Sequence, residues 1–234
     1  MTDTDPETLA RPSPASTLLC VVDTETTGLP SDPDAQVTEI AATVFDLETF
    51  EEIRCWSTLV RPTVWSDEGR RITQEICGLS PMLIEAFGED PKTARMRLYD
   101  FADGLPLHAW NSPFDEEMVR RMDPSDPMQA ALAKRWGPCL MREFSAVSRG
   151  DANLRSKLTF AYEQCGFGEP EGAHRALVDA RMAARVIAHL RSGGALGRAR
   201  GPTHYDKPTP TPKPGGVRKW TPGGLVAHTP NPQE

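Results

Sequence analysis

The stretch TLLCVV (17–22) is an unbroken apolar run, the pattern of a strand buried on both faces. VTEIAATVFD (37–46) and EIRCWSTLV (52–60) are rich in β-branched and aromatic residues and are separated by the acidic turn LETFE, which predicts a hairpin. TQEICGL (73–79) and PKTARMRLYDFAD (91–103) read as helices, the second with Pro91 in its first turn. LPLHAW (105–110) returns to a strand pattern and PFDEEMVRRM (113–122) to a helical one, while CLMREFSAV (139–147) fits either. KLTFAYEQCGF (157–167) and HRALVDARMAARVIAHL (174–190) predict closing helices. A hairpin followed by alternating helices and strands implies an α/β fold, a mixed sheet with helices on its faces.

The pattern covers residues 17–190 and stops on both sides. Residues 1–16 are Thr, Asp, Pro and Ser without apolar period, and predict a disordered leader. Residues 191–234 hold eight Pro and eight Gly, which predicts an extended, disordered tail and locates much of the excess in a chain with 22 prolines. The tail carries seven Lys/Arg against two acids, so the formal charge of −7 divides into +5 on the tail and −12 on the rest. An acidic body argues against simple electrostatic capture of a polyanion unless bound cations change the local field.

No run approaches the ~18 apolar residues of a membrane span, and the N-terminus lacks the basic start and apolar centre of a signal peptide. An intracellular, cytoplasmic protein with no membrane partner is expected. Five cysteines at 20, 55, 77, 139 and 165 never form a CxxC pair, so reduced and mostly buried thiols are expected rather than a disulfide framework or zinc cluster.

The chemistry lies where apolar runs meet acids. In VVDTETTGL, Asp23 and Glu25 are two residues apart at the end of a strand, so both side chains project from one face. Two carboxylates so close repel, and oxygen ligands of that kind suit Mg²⁺ or Mn²⁺. Taken alone, DTE also fits a strand that ends in a polar turn. Asp115 falls in the opening turn of a helix, where the macrodipole by itself accounts for an acid. Asp179 shares a helical stripe with Met182, Ala183, Val186 and Leu190, so it needs a metal or a partner such as Arg175 or Arg181. His174 stands five residues earlier, about 140° away on an ideal helix at ~100° per residue. It shares a site with Asp179 only from the loop before the helix, and the turn-rich GEPEGA supplies that loop. A neutral histidine beside a metal site can take a proton from water.

The order D-x-E, D, H-x4-D resembles the DEDDh group of DnaQ-like 3′-to-5′ exonucleases, carried by VVDTETTGL, HAWNSPFDEEMV and HRALVDARMAARV, with weaker likeness in ITQEICGLS and KLTFAYEQCGF. The resemblance implies a ribonuclease H-like domain over 17–190: a five-stranded mixed sheet with an antiparallel second strand, flanked by helices. It implies Asp23, Glu25, Asp115 and Asp179 as ligands of two divalent cations, Mg²⁺ or Mn²⁺, with His174 as general base. The implied reaction is two-metal phosphodiester hydrolysis, with cations about 3.5–4 Å apart. Thr26, Thr27 and Leu29 are implied contacts to the 3′-terminal nucleotide, and Asn111 is a further substrate-side residue. Phe114 is expected in the core beside the site, and His108 stands two positions from where many relatives carry a histidine before the asparagine. Nucleic acid 3′ ends are the expected partner, DNA ahead of RNA, and the basic-aromatic VRKW (217–220) suggests that the tail docks a polymerase or another nuclease. Two rival readings stay open. One is an exoribonuclease on the same fold; the other is a silent nucleic-acid-binding module, against which the intact set of four acids and one histidine argues.

Overall fold

The structure, a computed structural model, describes residues 17–168, 172 and 174–197, with two short strands at 218–221 and 224–227. The predicted leader lies outside the described residues, as does most of the tail. Chain order begins with β1 (Leu18–Thr26), β2 (Val37–Asp46) and β3 (Glu51–Leu59), followed by α1 (Asp67–Glu75), α2 (Pro81–Phe87) and α3 (Pro91–Ala102). It continues with β4 (Leu107–His108), α4 (Ser112–Arg121), α5 (Gln129–Ala133), α6 (Leu140–Arg149), α7 (Leu158–Gln164) and α8 (Ala176–Arg191). Within the tail, β5 (Arg218–Thr221) pairs antiparallel with β6 (Gly224–Ala227), a local hairpin in a segment expected to be extended.

The main sheet runs β3-β2-β1-β4. β2 is antiparallel to both neighbours, as expected of a second strand, and β1 is parallel to β4. Alternate residues of β1 feed opposite cores. Leu19 and Val21 pack with Phe144, Tyr162, Met182 and Ile187 under α6, α7 and α8, whereas Cys20 and Val22 pack with Ile40, Val44, Leu98 and Met118 under α3 and α4. That is why the run is apolar without alternation: helices cover both faces.

A fifth strand is expected, but among the described residues it amounts to one parallel bridge, Leu107 to Trp136. Leu107 N–H donates to Arg135 O (2.8 Å) and Gly137 N–H donates to Leu107 O (2.7 Å), but the next acceptor, Ala109 O, is taken by Leu140 N–H (3.1 Å) at the start of α6, so the ladder ends where the chain turns into a helix. The ambiguous CLMREFSAV becomes α6, whose Leu140 and Phe144 are fully buried. α1 starts at Asp67, earlier than TQEICGL suggests, because Ser66 caps it by accepting from Gly69 N–H at 2.9 Å. It ends before Gly78, whose φ of +62° no helix accommodates. Contacts continue past residue 190: Leu196 packs on the α8 core and Gly197 N–H donates to Gln164 O at 2.7 Å. All five cysteines are free thiols, four buried and Cys55 exposed. Among the described residues no helix is long and apolar enough to cross a membrane.

Candidate active site

The row that places Leu19 and Val21 under α8 continues along β1 to Asp23 and Glu25, so the two acids emerge on the face where α8 begins. Opposite Asp23 on β2 is the small Ala41, and opposite Glu25 is Glu39. Asp179 lies in the first turn of α8. Carboxylate oxygens of Asp23, Glu25 and Asp179 all lie within 4.8 Å of one another. The cations that might have neutralised Asp179 are engaged elsewhere: Arg175 pairs with Glu39 and Arg181 with Glu52. Asp179 Oδ1 is buried without a hydrogen-bond partner. Asp115, in the first turn of α4, is also buried, and its Oδ1 accepts from Thr24 Oγ1 at 2.8 Å. Asp115 is thus tied to the residue between Asp23 and Glu25 rather than being part of the closest trio.

His174 stands just before α8 with φ at +69°, in the left-handed region, and its side chain is exposed. Its backbone N–H is directed to the Asp179 carboxylate. His174 thus lies in the loop before α8, the position from which the sequence would let it reach Asp179. His174 borders a cavity of about 150 Å³ with Glu25, Thr26, Leu29, Ile72, Cys77 and Phe114 among its walls. Thr27 does not border it; its Oγ1 accepts from Gln36 N–H (2.9 Å) and its N–H donates to Gln36 O (2.8 Å), closing the loop after β1. Asn111 also lies outside the cavity lining, at the N-cap of α4, where its carbonyl accepts from Phe114 N–H at 2.7 Å. Phe114 both packs against the core and faces the cavity. His108 is a packing residue, with Nδ1 3.1 Å from Pro138 O, and Trp110 donates its indole N–H to Ser156 O at 2.9 Å. Two residues at the site are not evident from the sequence: Glu39 and Cys77. The available signal for Glu39 is an acid inside an otherwise apolar strand, VTEIAATVFD.

Burial and mutual repulsion raise the acids above the usual carboxylate range. Asp23 is pushed well above the usual carboxylate range, first by burial and then by Asp115, Asp179 and Glu25. Glu25 rises to about 7 through burial, against the opposing hydrogen bond from the Cys77 thiol. Asp115 rises to about 7 by burial despite its Thr24 hydrogen bonds, and Asp179 to about 6 by burial despite His174. The donor set is hard oxygen only, with one orphaned carboxylate oxygen, and this fits Mg²⁺ or Mn²⁺.

A test of the charge cluster follows. The fold keeps protons that the unfolded chain releases near pH 4, so metal-free stability falls as pH rises from about 4 through about 7. A divalent cation at a hundred times its dissociation constant adds about 2.7 kcal/mol, or about 5–10 °C of melting temperature at ~2–4 °C per kcal/mol. Calorimetry with EDTA or Mn²⁺ should show that gap at pH 8, and a smaller one at pH 5.5, where protons compete for the same oxygens. A gap that grows toward acid pH would contradict it.

Comparison with known proteins gives the family and the fold. The exonuclease family model RNase_T matches residues 20–187. The nuclease domain of 3′hExo, a DEDDh family member bound to rAMP, is 19% identical over 78% of this chain and 96% of that one, with a TM-score of 0.56. A 3′-exonuclease that recognises the histone mRNA stem-loop is 17% identical over 93% of each chain, with a TM-score of 0.57. E. coli Exonuclease I in complex with a dT13 oligonucleotide is 18% identical over 76% of this chain, with a TM-score of 0.59, and the match spans only 41% of that enzyme. At these identities the structural likeness is one of fold. A comparison with curated protein sequences returns no match.

Proposed function

The chain belongs to the RNase_T exonuclease family, and from that premise we propose that it removes nucleotides from the 3′ ends of single-stranded or frayed DNA by metal-dependent hydrolysis. The observation that carries this reading is the convergence of Asp23, Glu25 and Asp179 within 4.8 Å, with Arg175 and Arg181 of the same helix start paired to Glu39 and Glu52 instead of Asp179. Such a cluster is costly as a purely structural feature and appropriate as a cation site.

Asp23, Glu25, Asp115 and Asp179 would hold two divalent cations, Mg²⁺ or Mn²⁺, which supply Lewis-acid stabilisation of the negative charge that develops at the phosphate. This also resolves how an acidic body takes a polyanion. His174, exposed at the cavity rim, takes the proton of the attacking water. Leu29, Ile72 and Phe114 offer apolar surface to the terminal base and sugar. Thr26 spends its hydroxyl proton on Gly28 O at 2.7 Å, which leaves its oxygen as an acceptor for the 3′-hydroxyl. Thr27 and Asn111 act on the substrate through the backbone they order rather than through direct side-chain contact. The basic tail is assigned to docking a polymerase or another nuclease.

The test uses 5′-labelled single-stranded DNA and RNA of one sequence with Mg²⁺. DNA should shorten in a ladder from its 3′ end, faster than RNA. Faster loss of RNA would convert the reading to an exoribonuclease, and internal cuts without a ladder would reject an exonuclease of either kind.

A further inference from the structure

Glu39 lies on β2 directly across from Glu25 and is only 3% exposed. Two carboxylates opposite one another on a buried sheet repel, so the arrangement persists only if Glu39 is compensated. The compensation comes from 136 residues away. Arg175 Nη2 donates to Oε1 at 2.7 Å, Arg175 Nε donates to Oε2 at 3.0 Å, and Ala176 backbone N–H donates to Oε2 at 3.1 Å. One carboxylate therefore grips a guanidinium by both prongs and also caps α8, whose N-cap residue Arg175 makes no side-chain cap bond.

The residue immediately before this grip is His174. Its φ of +69° is one that a non-glycine residue holds only where its surroundings impose it. Immediately downstream, the chain is fixed at two successive residues, 175 and 176, by one buried acid. Resting on the exonuclease reading of the site, we infer that Glu39 is a positioning residue that holds His174 over the cavity by clamping Arg175 and Ala176. Glu39 does not touch the substrate; it acts through the backbone on the group that moves the proton.

The experiment uses the full chain with Glu39→Gln, which keeps the volume and an acceptor but loses the charge, alongside His174→Ala and the double variant. On 3′-labelled single-stranded DNA at Mg²⁺ that saturates the wild type, Glu39→Gln should lower kcat about 10–100-fold with KM within about twofold, the range for a supporting group around a reacting centre. In the His174→Ala background the same change should cost less than about twofold, because the group it serves is gone. Equal losses in both backgrounds would overturn the inference. So would recovery of kcat at higher Mg²⁺, which would place Glu39's effect on the acids beside it. Amide exchange provides a readout that needs no activity: residues 174–179 should exchange at least about tenfold faster in Glu39→Gln and in Arg175→Ala, while β1 and β2 stay unchanged, and no increase would refute the clamp. Should the wild type release no nucleotides, the exonuclease reading falls while exchange still decides whether Glu39 holds this segment.

Discussion

Asp23→Asn should lower the rate of 3′-end hydrolysis by about 10³-fold or more, and at the same time raise the melting temperature of the metal-free protein. The two effects share one origin. Asp23, half-buried, lies among Asp115, Asp179, Glu25 and Glu39, each of which raises its carboxyl, so its charge is opposed from several sides. The amide keeps the shape and removes one charge, relieving repulsion at neutral pH. The same change removes a ligand from a cation site whose Lewis-acid contribution is several kcal/mol, or about three powers of ten in rate. Mn²⁺ should reverse the stability order, because wild type gains binding energy that the variant has lost. A variant that is inactive and also less stable in EDTA would indicate that Asp23 is structural, and full activity would remove it from the site.

His174→Ala should cost about 10²–10⁴ in kcat, the usual contribution of a positioned proton acceptor, while leaving Mn²⁺ affinity within about twofold. The distinction comes from where the residue lies. Its side chain is exposed at the rim and is not part of the trio of carboxylates that lie within 4.8 Å of one another, while its backbone N–H, directed to the Asp179 carboxylate, is kept by alanine. Titration calorimetry with Mn²⁺ separates the two roles. A tenfold or greater loss of affinity would make His174 a ligand, and an unchanged kcat would deny it any part in the proton transfer.

What the sequence discloses about this fold follows the range of its rules. DTE at the end of an apolar run and Asp179 on an apolar helical stripe are legible because strand and helix periods act over a few residues, and the structure brings those acids together. The position of His174 is legible from the same arithmetic: 140° of separation excludes a shared helix face, and the residue indeed lies just ahead of α8. Glu39 is not legible as a clamp, since its partners lie 136 residues on and nothing local marks an acid in VTEIAATVFD as paired. Thr27 parts from Thr26 for a related reason. It belongs to the same short motif as Thr26, yet one backbone step turns it into the loop, toward Gln36. The fifth strand shrinks to a bridge because the chain turns into α6 at Leu140, within the stretch CLMREFSAV that fits strand or helix alike, and the two-residue length of β4 depended on a register only the assembled sheet defines.

The way α8 closes over β1 bears on the order in which the protein is synthesised. Val21 and Phe144 depend on Ala183 and Ile187 for cover, and Asp179 arrives on that same helix. A chain still emerging from the ribosome, with residues up to about 175 exposed, has Asp23, Glu25 and Asp115 but neither the last acid nor the lid of its core. On the proposed reading of the site, hydrolytic competence and closure of this core would therefore be one event, and a copy terminated before α8 would carry no nuclease activity toward the nucleic acid around it.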